Sequence, residues 1–281
     1  MSVVLIFVVL SFLYLYIMAH ISGTLALFDD PMNALLLLCA VALAPGAYLA
    51  SAIYLKDKYE PEPKRLLFGT FCLGAAVMVV PALVEAFAFR ALDLGQLRGL
   101  GILASALVAF LVIAPAEEGA KFWILRRYAY LKPDFNEPLD GIVYGAIISL
   151  GFATLENLLY VLPHGLEAGV ARMLTAVPGH YAFGVVMGYY VGQAKFQPEN
   201  QTALMLRGFC YATLLHGAYD FFLIQSTVPI LKPGMLVVLL VALRMARKAI
   251  QELQADSKWR FGDCKRDHQS SVVTDQSITT E

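Results

Sequence analysis

Long apolar blocks with few charges constrain the fold of this chain more than any other feature. Blocks of roughly 20 apolar residues, the length that crosses a bilayer as a helix, recur along most of the sequence. They cover residues 2–21, 33–55, 66–89, 100–125, 139–162, 170–194, 203–226 and 228–246. Hydrophobic residues make up 59% of the chain and charged residues 15%, against roughly 45–50% and 25% in soluble domains. We therefore predict an all-α, polytopic transmembrane helix bundle with about eight spans.

Basic residues indicate how such a bundle is oriented. They are concentrated in the connections after the second, fourth and sixth segments and in the C-terminal region. Connections rich in lysine and arginine stay on the cytoplasmic side. We expect a multi-pass protein of the inner (plasma) membrane with both termini in the cytoplasm. Residues 1–254 would form the membrane domain, and the polar residues 255–281 a disordered cytoplasmic tail. The net charge of -1 gives no reason to expect a nucleic-acid partner.

Ionisable residues inside four successive apolar segments are the strongest functional signal. A charged side chain at the centre of a membrane helix costs roughly 2.5–3.5 kcal/mol on the insertion scale, so such residues usually serve a function. The set comprises Glu117, Glu118, Lys121, Glu156, His180, His216 and Asp220. Glu85, in the third segment, is more isolated, and we interpret it as balancing Arg90 or the lysine of the set.

The spacing of these residues predicts that they meet. Glu117 and Glu118 precede Lys121 by four and three residues, and His216 precedes Asp220 by four, so each group shares one helix face. Rows of glycine and other small residues, which mark close helix packing in membranes, place His180 and Glu156 on buried faces. We expect the four helices to converge on one wet cavity.

Depth in the membrane poses a difficulty for this single site. Regular segments would put Glu117 near one end of its helix and Glu156 near the opposite end of the next. If both belong to one site, Pro115 and the glycines must bend or shift these helices. A separation of the two carboxyl groups beyond roughly 10 Å would exceed the reach of a shared water or metal and would contradict the model.

Several functions could use this set of residues. A glutamate could deprotonate a water that attacks a carbonyl, with histidines stabilising the oxyanion. Alternatively Glu156, His180 and His216 could bind a zinc ion, with Glu117 or Glu118 as the base. A proton-coupled transporter is a third alternative, although the two halves of the chain show no clear duplication. A non-catalytic membrane scaffold, held together by ion pairs, is a fourth.

The motifs resemble those of a known family. E-E-x-x-K (117–121), F-x-x-x-E-N (152–157), the isolated His180 before a glycine-rich helix, and H-x-x-x-D (216–220) occur in the order found in PrsW intramembrane proteases. The segment D-K-Y-E-P-E-P (57–63) also resembles the stretch that this family carries before its third helix. The resemblance extends from about residue 50 to residue 225.

The resemblance has specific implications. It implies an intramembrane endopeptidase, classed as a metallopeptidase, whereas relatives in the wider clan of type II CAAX prenyl endopeptidases have been argued to work without metal. By analogy Glu117 activates water, Glu118 supports it, and Glu156 takes the place of an assisting histidine. His216 and Asp220 lie where the clan binds the oxyanion, and an ionised Asp220 can only orient His216. The implied substrate is a membrane-anchored protein, such as an anti-sigma factor in a bacterium.

Overall fold

The computed structural model describes residues 31–91 and 101–257, and regular structure in these ranges is entirely helical. We number the α-helices α1 (Pro31–Tyr54), α2 (Lys64–Val77), α3 (Val79–Ala91), α4 (Ile102–Val108), α5 (Ala114–Ile124), α6 (Pro138–Leu174), α7 (Ala176–Phe196), α8 (Gln201–Ile224) and α9 (Gly234–Asp256). Two π-helical segments, Ala109–Ile113 and Leu125–Ala129, flank α5. The prediction of an all-α membrane protein is confirmed at this level.

Within residues 31–91 and 101–257, five helical stretches are long and apolar enough to cross a membrane. They are Pro31–Tyr54, Lys64–Ala91, Ile102–Ala129, Pro138–Phe196 and Pro229–Asp256. The fourth stretch has 59 residues and contains both α6 and α7. The predicted first span, residues 2–21, lies outside the described residues, as does nearly all of the predicted tail. Helix α9 continues to Asp256, two residues past the predicted domain boundary at residue 254.

Helices α6 and α7 form the centre of the bundle and pack through glycines. A Cβ atom on Gly141 would collide with Gly192, and one on Gly145 would collide with Gly184 and Gly188. Because residues later in α6 face residues earlier in α7, the two helices run antiparallel. Close backbone approach of this kind holds membrane helices together where lipid supplies no hydrophobic drive between them. This packing aligns the helix of Glu156 with the helix of His180.

Helix α6 contains a sharp break that brings its two halves together. Gly165 has φ 78 and ψ -168, non-helical values within the run Pro138–Leu174. Glu156 and Arg172 are 16 residues apart, which in a straight helix would be about 24 Å. Their side chains instead form an ion pair at 2.8 Å. The second half of α6 therefore folds back toward the first.

The connections on one end of the bundle contact one another. The Asn136 amide donates to Glu60 at 3.0 Å, and the Lys195 ammonium donates to the Tyr130 carbonyl at 2.7 Å. The Gln254 side chain donates to the Lys56 carbonyl. The connections after α1, α5 and α7 thus lie at the same end as the C-terminus of α9. These are the connections in which the sequence concentrates its basic residues.

Candidate active site

The E-E-x-x-K motif lies on α5, directly after the first π-helical segment. The Lys121 ammonium donates to Glu117 Oε2 at 3.2 Å and to Glu118 Oε1 at 2.7 Å. The Lys121 side chain is 1% exposed and that of Glu118 is fully buried. A π-helical segment inserts an extra residue into the helix and rotates the faces of the residues that follow. Such segments are frequent at functional sites. This irregularity, together with Pro115, sets the direction in which both glutamates point.

His180 joins the motif of α5 to that of α6. The Lys121 ammonium lies 2.9 Å from His180 Nδ1, and His180 Nε2 lies 2.8 Å from Glu156 Oε2. Because an ammonium can only donate, His180 Nδ1 accepts and its Nε2–H donates to Glu156. Glu117 Oε2 is 4.0 Å from His180 Nδ1, so a single imidazole ring separates the carboxylates of Glu117 and Glu156. Regular helices would have placed Glu117 and Glu156 at different depths in the membrane, and the irregular helices bring them into one site.

Arg172 belongs to this site, although it is not among the site residues predicted from the sequence. Its guanidinium pairs with Glu156 at 2.8 Å, and its Nε donates to Asn157 Oδ1 at 3.2 Å. The Asn157 amide in turn donates to the Ala42 carbonyl of α1 at 3.1 Å. The asparagine of the F-x-x-x-E-N motif therefore helps to hold the arginine that neutralises Glu156. An arginine within an apolar segment, shortly after Pro163 and Gly165, was the signal available in the sequence.

His216 on α8 faces a carboxylate from each of its ring nitrogens. His216 Nδ1 lies 2.9 Å from Glu118 Oε1, and Nε2 lies 3.3 Å from Asp220 Oδ2. Ionised carboxylates only accept hydrogen bonds, so a ring that donates from both nitrogens is an imidazolium, whereas a neutral ring keeps one nitrogen free to bind a metal. The i, i+4 spacing predicted the contact with Asp220. The contact with Glu118 depends on how α8 packs against α5.

Aromatic rings line the cluster and restrict access of water to its charges. The Lys121 ammonium lies 4.1 Å from the centre of the Phe152 ring, where it is attracted by the negative face of the ring. The Phe183 ring stacks on His216 with centroids 5.1 Å apart. Phe152 thus has a specific role in its motif, because it covers the buried lysine.

A cavity of about 490 Å³ opens beside the cluster, between α3 and α5–α9. Glu117, Glu156, His180, His216 and Asp220 line it, whereas Glu118 and Lys121 lie behind them. Glu117 is the carboxylate of the E-E pair that can contact a water entering from the cavity. Glu85 lines the same cavity from α3.

The side chains present have the donor chemistry of a metal site. One ligand atom each from Glu117, Glu118, His180 and His216 lies within 4.8 Å of the others. Glu117 Oε2 is 4.0 Å from His180 Nδ1 and 3.9 Å from His216 Nε2. These distances are too long for hydrogen bonds and do not exceed twice a metal–ligand bond of about 2.0–2.1 Å, so one ion can reach both atoms of each pair.

Charge and unpaired atoms also fit a metal ion. Glu118 Oε2 is buried and has no hydrogen-bond partner among the described residues. With His216 neutral, as a metal ligand must be, the cluster contains four carboxylates and two cationic side chains, so a divalent ion would balance it. Lys121 already places an ammonium among the same groups and would share them with a metal. The group thus fits a divalent metal held by nitrogen and oxygen ligands.

All seven predicted site residues meet in this one region. Among the predicted metal ligands, the two histidines and Glu156 have different surroundings. His180 and His216 belong to the compact group with Glu117 and Glu118. Glu156 reaches that group through His180 and is also paired with Arg172. The predicted ligand set of Glu156, His180 and His216 stays a prediction, and Glu117 and Glu118 are further carboxylates near both histidines.

Comparisons with known proteins agree with the motifs. Residues 62–246 match the model of a family described as PrsW family intramembrane metalloprotease. A protein named Protease PrsW from Geobacillus kaustophilus (strain HTA426) is 40% identical over 190 residues, which is 67% of this chain and 80% of that protein. Protease PrsW of Bacillus subtilis (strain 168) is 38% identical over 213 residues, covering 75% of this chain and 94% of the relative. No solved structure matches the chain significantly.

Proposed function

This chain belongs to the PrsW family of intramembrane metalloproteases and is a peptidase, and we propose that it hydrolyses a peptide bond of a membrane-anchored protein with a water activated by Glu117. The observation that carries this proposal is the position of Glu117. It lines the cavity with one carboxylate oxygen close to both histidines. The predictions of the family and of a peptidase are confirmed, and they take precedence over a transporter or a scaffold.

Each remaining residue of the cluster has a role in this mechanism. Glu117 takes a proton from the attacking water and passes it to the leaving amine, as a general base and then a general acid. The imidazolium of His216, held by Glu118 and Asp220, stabilises the negative charge that develops on the scissile carbonyl oxygen. Lys121 and Glu118 hold Glu117 in position from behind. Arg172 and Glu156 orient His180.

The family description implies a metal, and the donor groups fit one. Neutral His180 and His216 would hold it, together with a carboxylate from Glu118 or Glu156, which leaves Glu117 free as the base. His216 would then act as a ligand and no longer as an imidazolium. We propose zinc, since imidazole and carboxylate ligands suit this ion. When bound, it supplies Lewis-acid activation of water and of the scissile carbonyl.

The cavity lies among helices that are apolar enough to cross a membrane, which supports a substrate that reaches it from the bilayer. We propose eight spans, consisting of residues 2–21 and seven helical passages formed by α1, α2–α3, α4–α5, α6, α7, α8 and α9. The termini of this arrangement are cytoplasmic and the protein lies in the inner (plasma) membrane. The substrate is an anti-sigma-factor-like protein with a membrane anchor.

Termini created by proteolysis test this function without a chosen substrate. New N-termini of membrane proteins are quantified by mass spectrometry in cells expressing the wild type or Glu117→Gln. We expect termini within or beside membrane anchors in the wild type, formed about 10²–10⁴-fold more slowly in Glu117→Gln because the general base is lost. Glu199→Gln, which neutralises an exposed carboxylate, is the matched control. Equal abundance of these termini in Glu117→Gln, at equal protein level in the membrane, would contradict the proposal.

A further inference from the structure

A second group of buried carboxylates lies at the end of the bundle where the connections meet. Asp57, Glu62 and Asp140 are 2%, 3% and 0% exposed. One oxygen from each lies within 4.8 Å of the others. The first two belong to the connection between α1 and α2, and the third lies in the first turn of α6. This carboxylate pocket is separate from the cavity and from every residue of the candidate active site.

Each carboxylate of the pocket is held through one of its two oxygens. Asp57 Oδ2 accepts from the Glu62 backbone N–H at 3.2 Å, and Glu62 Oε2 accepts from the Tyr144 hydroxyl. Asp140 Oδ2 accepts from the backbone N–H groups of Asn136 and Glu137 at 2.6 and 2.8 Å. These bonds fix the orientation of all three carboxyl groups.

The second oxygen of each carboxylate has no donor. Asp57 Oδ1, Glu62 Oε1 and Asp140 Oδ1 are buried without a hydrogen-bond partner among the described residues. Within the same ranges, no lysine or arginine forms an ion pair with these three groups. The neighbouring Lys195 donates instead to the carbonyls of Tyr130 and Lys132. Buried carboxylates of this kind need a cation or a proton, because unpaired buried charge is costly.

We propose that the carboxylate pocket binds a hard divalent cation, Ca²⁺ or Mg²⁺, which fastens the connection between α1 and α2 to the start of α6. Such cations prefer carboxylate oxygens as ligands. Two oxygens bound to one Ca²⁺ at about 2.3–2.6 Å can be roughly 5 Å apart, and two bound to Mg²⁺ about 4 Å. Separations within 4.8 Å are compatible with one ion bound to all three carboxylates.

The pKa values of the pocket describe its carboxylates without a bound cation. Burial, opposed by the Glu62 backbone N–H, raises the pKa of Asp57 to about 7. Burial and the nearby Asp140 raise the pKa of Glu62 to about 10. A bound cation would favour the ionised forms, whereas without one protons must neutralise the pocket. Cation binding and proton binding are therefore in competition here.

Terbium luminescence tests the site directly in the purified full chain. Tb³⁺ replaces Ca²⁺ at oxygen ligands and is excited through a nearby tyrosine, which Tyr144 supplies beside Glu62. We expect a luminescence signal that Ca²⁺ or Mg²⁺ displaces, and the more effective of the two identifies the preferred ion. Asp57→Asn and Glu62→Gln should each weaken binding at least tenfold. Glu199→Gln should leave it unchanged, because this exposed residue lies outside the pocket.

Thermal unfolding of the wild type supplies a test that does not require the variants to fold. The midpoint of the wild type should rise when Ca²⁺ or Mg²⁺ is added to chelator-treated protein, since a ligand of the folded state stabilises it. The double variant Asp57→Asn/Glu62→Gln should lose this response, and in chelator it should be at least as stable as the wild type because like charges are removed. A wild-type midpoint that neither ion shifts, or a variant that responds like the wild type, would overturn the proposal.

Discussion

Lys121 is the residue around which the polar cluster is arranged. Its ammonium contacts Glu117, Glu118 and His180, which come from α5 and α7, and the Phe152 ring of α6 covers it. A fully buried lysine is tolerated only when charges and hydrogen bonds compensate for its desolvation. The i, i+3 and i, i+4 spacing predicted the two glutamate contacts. The contacts with His180 and Phe152 join separate helices, and no local pattern indicated them.

Metal content will show which carboxylate joins the two histidines. Glu117→Gln, Glu156→Gln, His180→Ala and His216→Ala are compared by elemental analysis of the purified proteins. We expect both histidine variants to lose the metal. Glu117→Gln should retain the metal, because Glu117 is the base; loss of the metal in this variant would make Glu117 a ligand and contradict that assignment. Glu156→Gln should weaken binding about 10–100-fold, as is typical for a partner that acts through a ligand, here His180. Unchanged metal in both histidine variants would contradict the ligand assignment.

Arg172 should be required for both stability and activity. In Arg172→Met the Glu156 carboxylate loses its guanidinium partner, and breaking a buried pair costs about 3–5 kcal/mol. We expect a lower unfolding midpoint and reduced cleavage. Arg172→Lys keeps the charge but cannot bond Glu156 and Asn157 together with a planar fork, so it should restore stability only in part. If Arg172→Met matched the wild type in both measurements, the arginine would have no role in the site.

At the scale of elements, the site depends on interruptions of regular helices. The π-helical segment before α5 and the break in α6 both lie within apolar stretches that read as uninterrupted spans. Hydrophobic length indicates where a helix crosses the membrane, but the i→i-4 pattern can change locally without changing that length. Gly165 illustrates this, because its positive φ lets Arg172 return to Glu156.

Gly165→Ala should disrupt the site through the backbone alone. A Cβ atom at Gly165 would have open space around it, but its φ of 78 and ψ of -168 are almost restricted to glycine. Strain of this kind costs about 1–3 kcal/mol, and the unfolding midpoint and cleavage should both fall. Gly101→Ala is the matched control, because it also has open space and its φ is -64. Equal effects of the two substitutions would argue against the role of the break.

At the scale of the whole molecule, four basic regions gather at one end of the bundle. The sequence predicted this from the alternation of basic and non-basic connections, and the contacts of Glu60 with Asn136 and of Lys56 with Gln254 agree. Connections that meet at the same end of the bundle are separated by an even number of membrane crossings. The side of the membrane on which this end lies stays a prediction of the positive-inside rule.

Reporter fusions will test this orientation. A fluorescent protein that matures only in the cytoplasm should be active when fused after Glu281 or after Lys132. Alkaline phosphatase, which is active only outside the cytoplasm, should be active when fused after Arg98. The reverse pattern would place the carboxylate pocket and the basic connections outside the cell, contrary to the predicted topology.

The sequence alone determined the class of protein, the approximate positions of the described membrane helices and the ionisable residues that meet in the cluster, because bilayer-length apolar segments and ionisable residues within them are local and costly features. It also carried the family, through short motifs in a fixed order. Only the tertiary structure decided which partners these residues have. Arg172 reaches Glu156, His216 reaches Glu118, and Asp140 joins Asp57 and Glu62 through helix packing, a backbone break and contacts between distant connections. Such contacts follow from how whole helices approach one another, and the spacing of residues within one helix does not encode them.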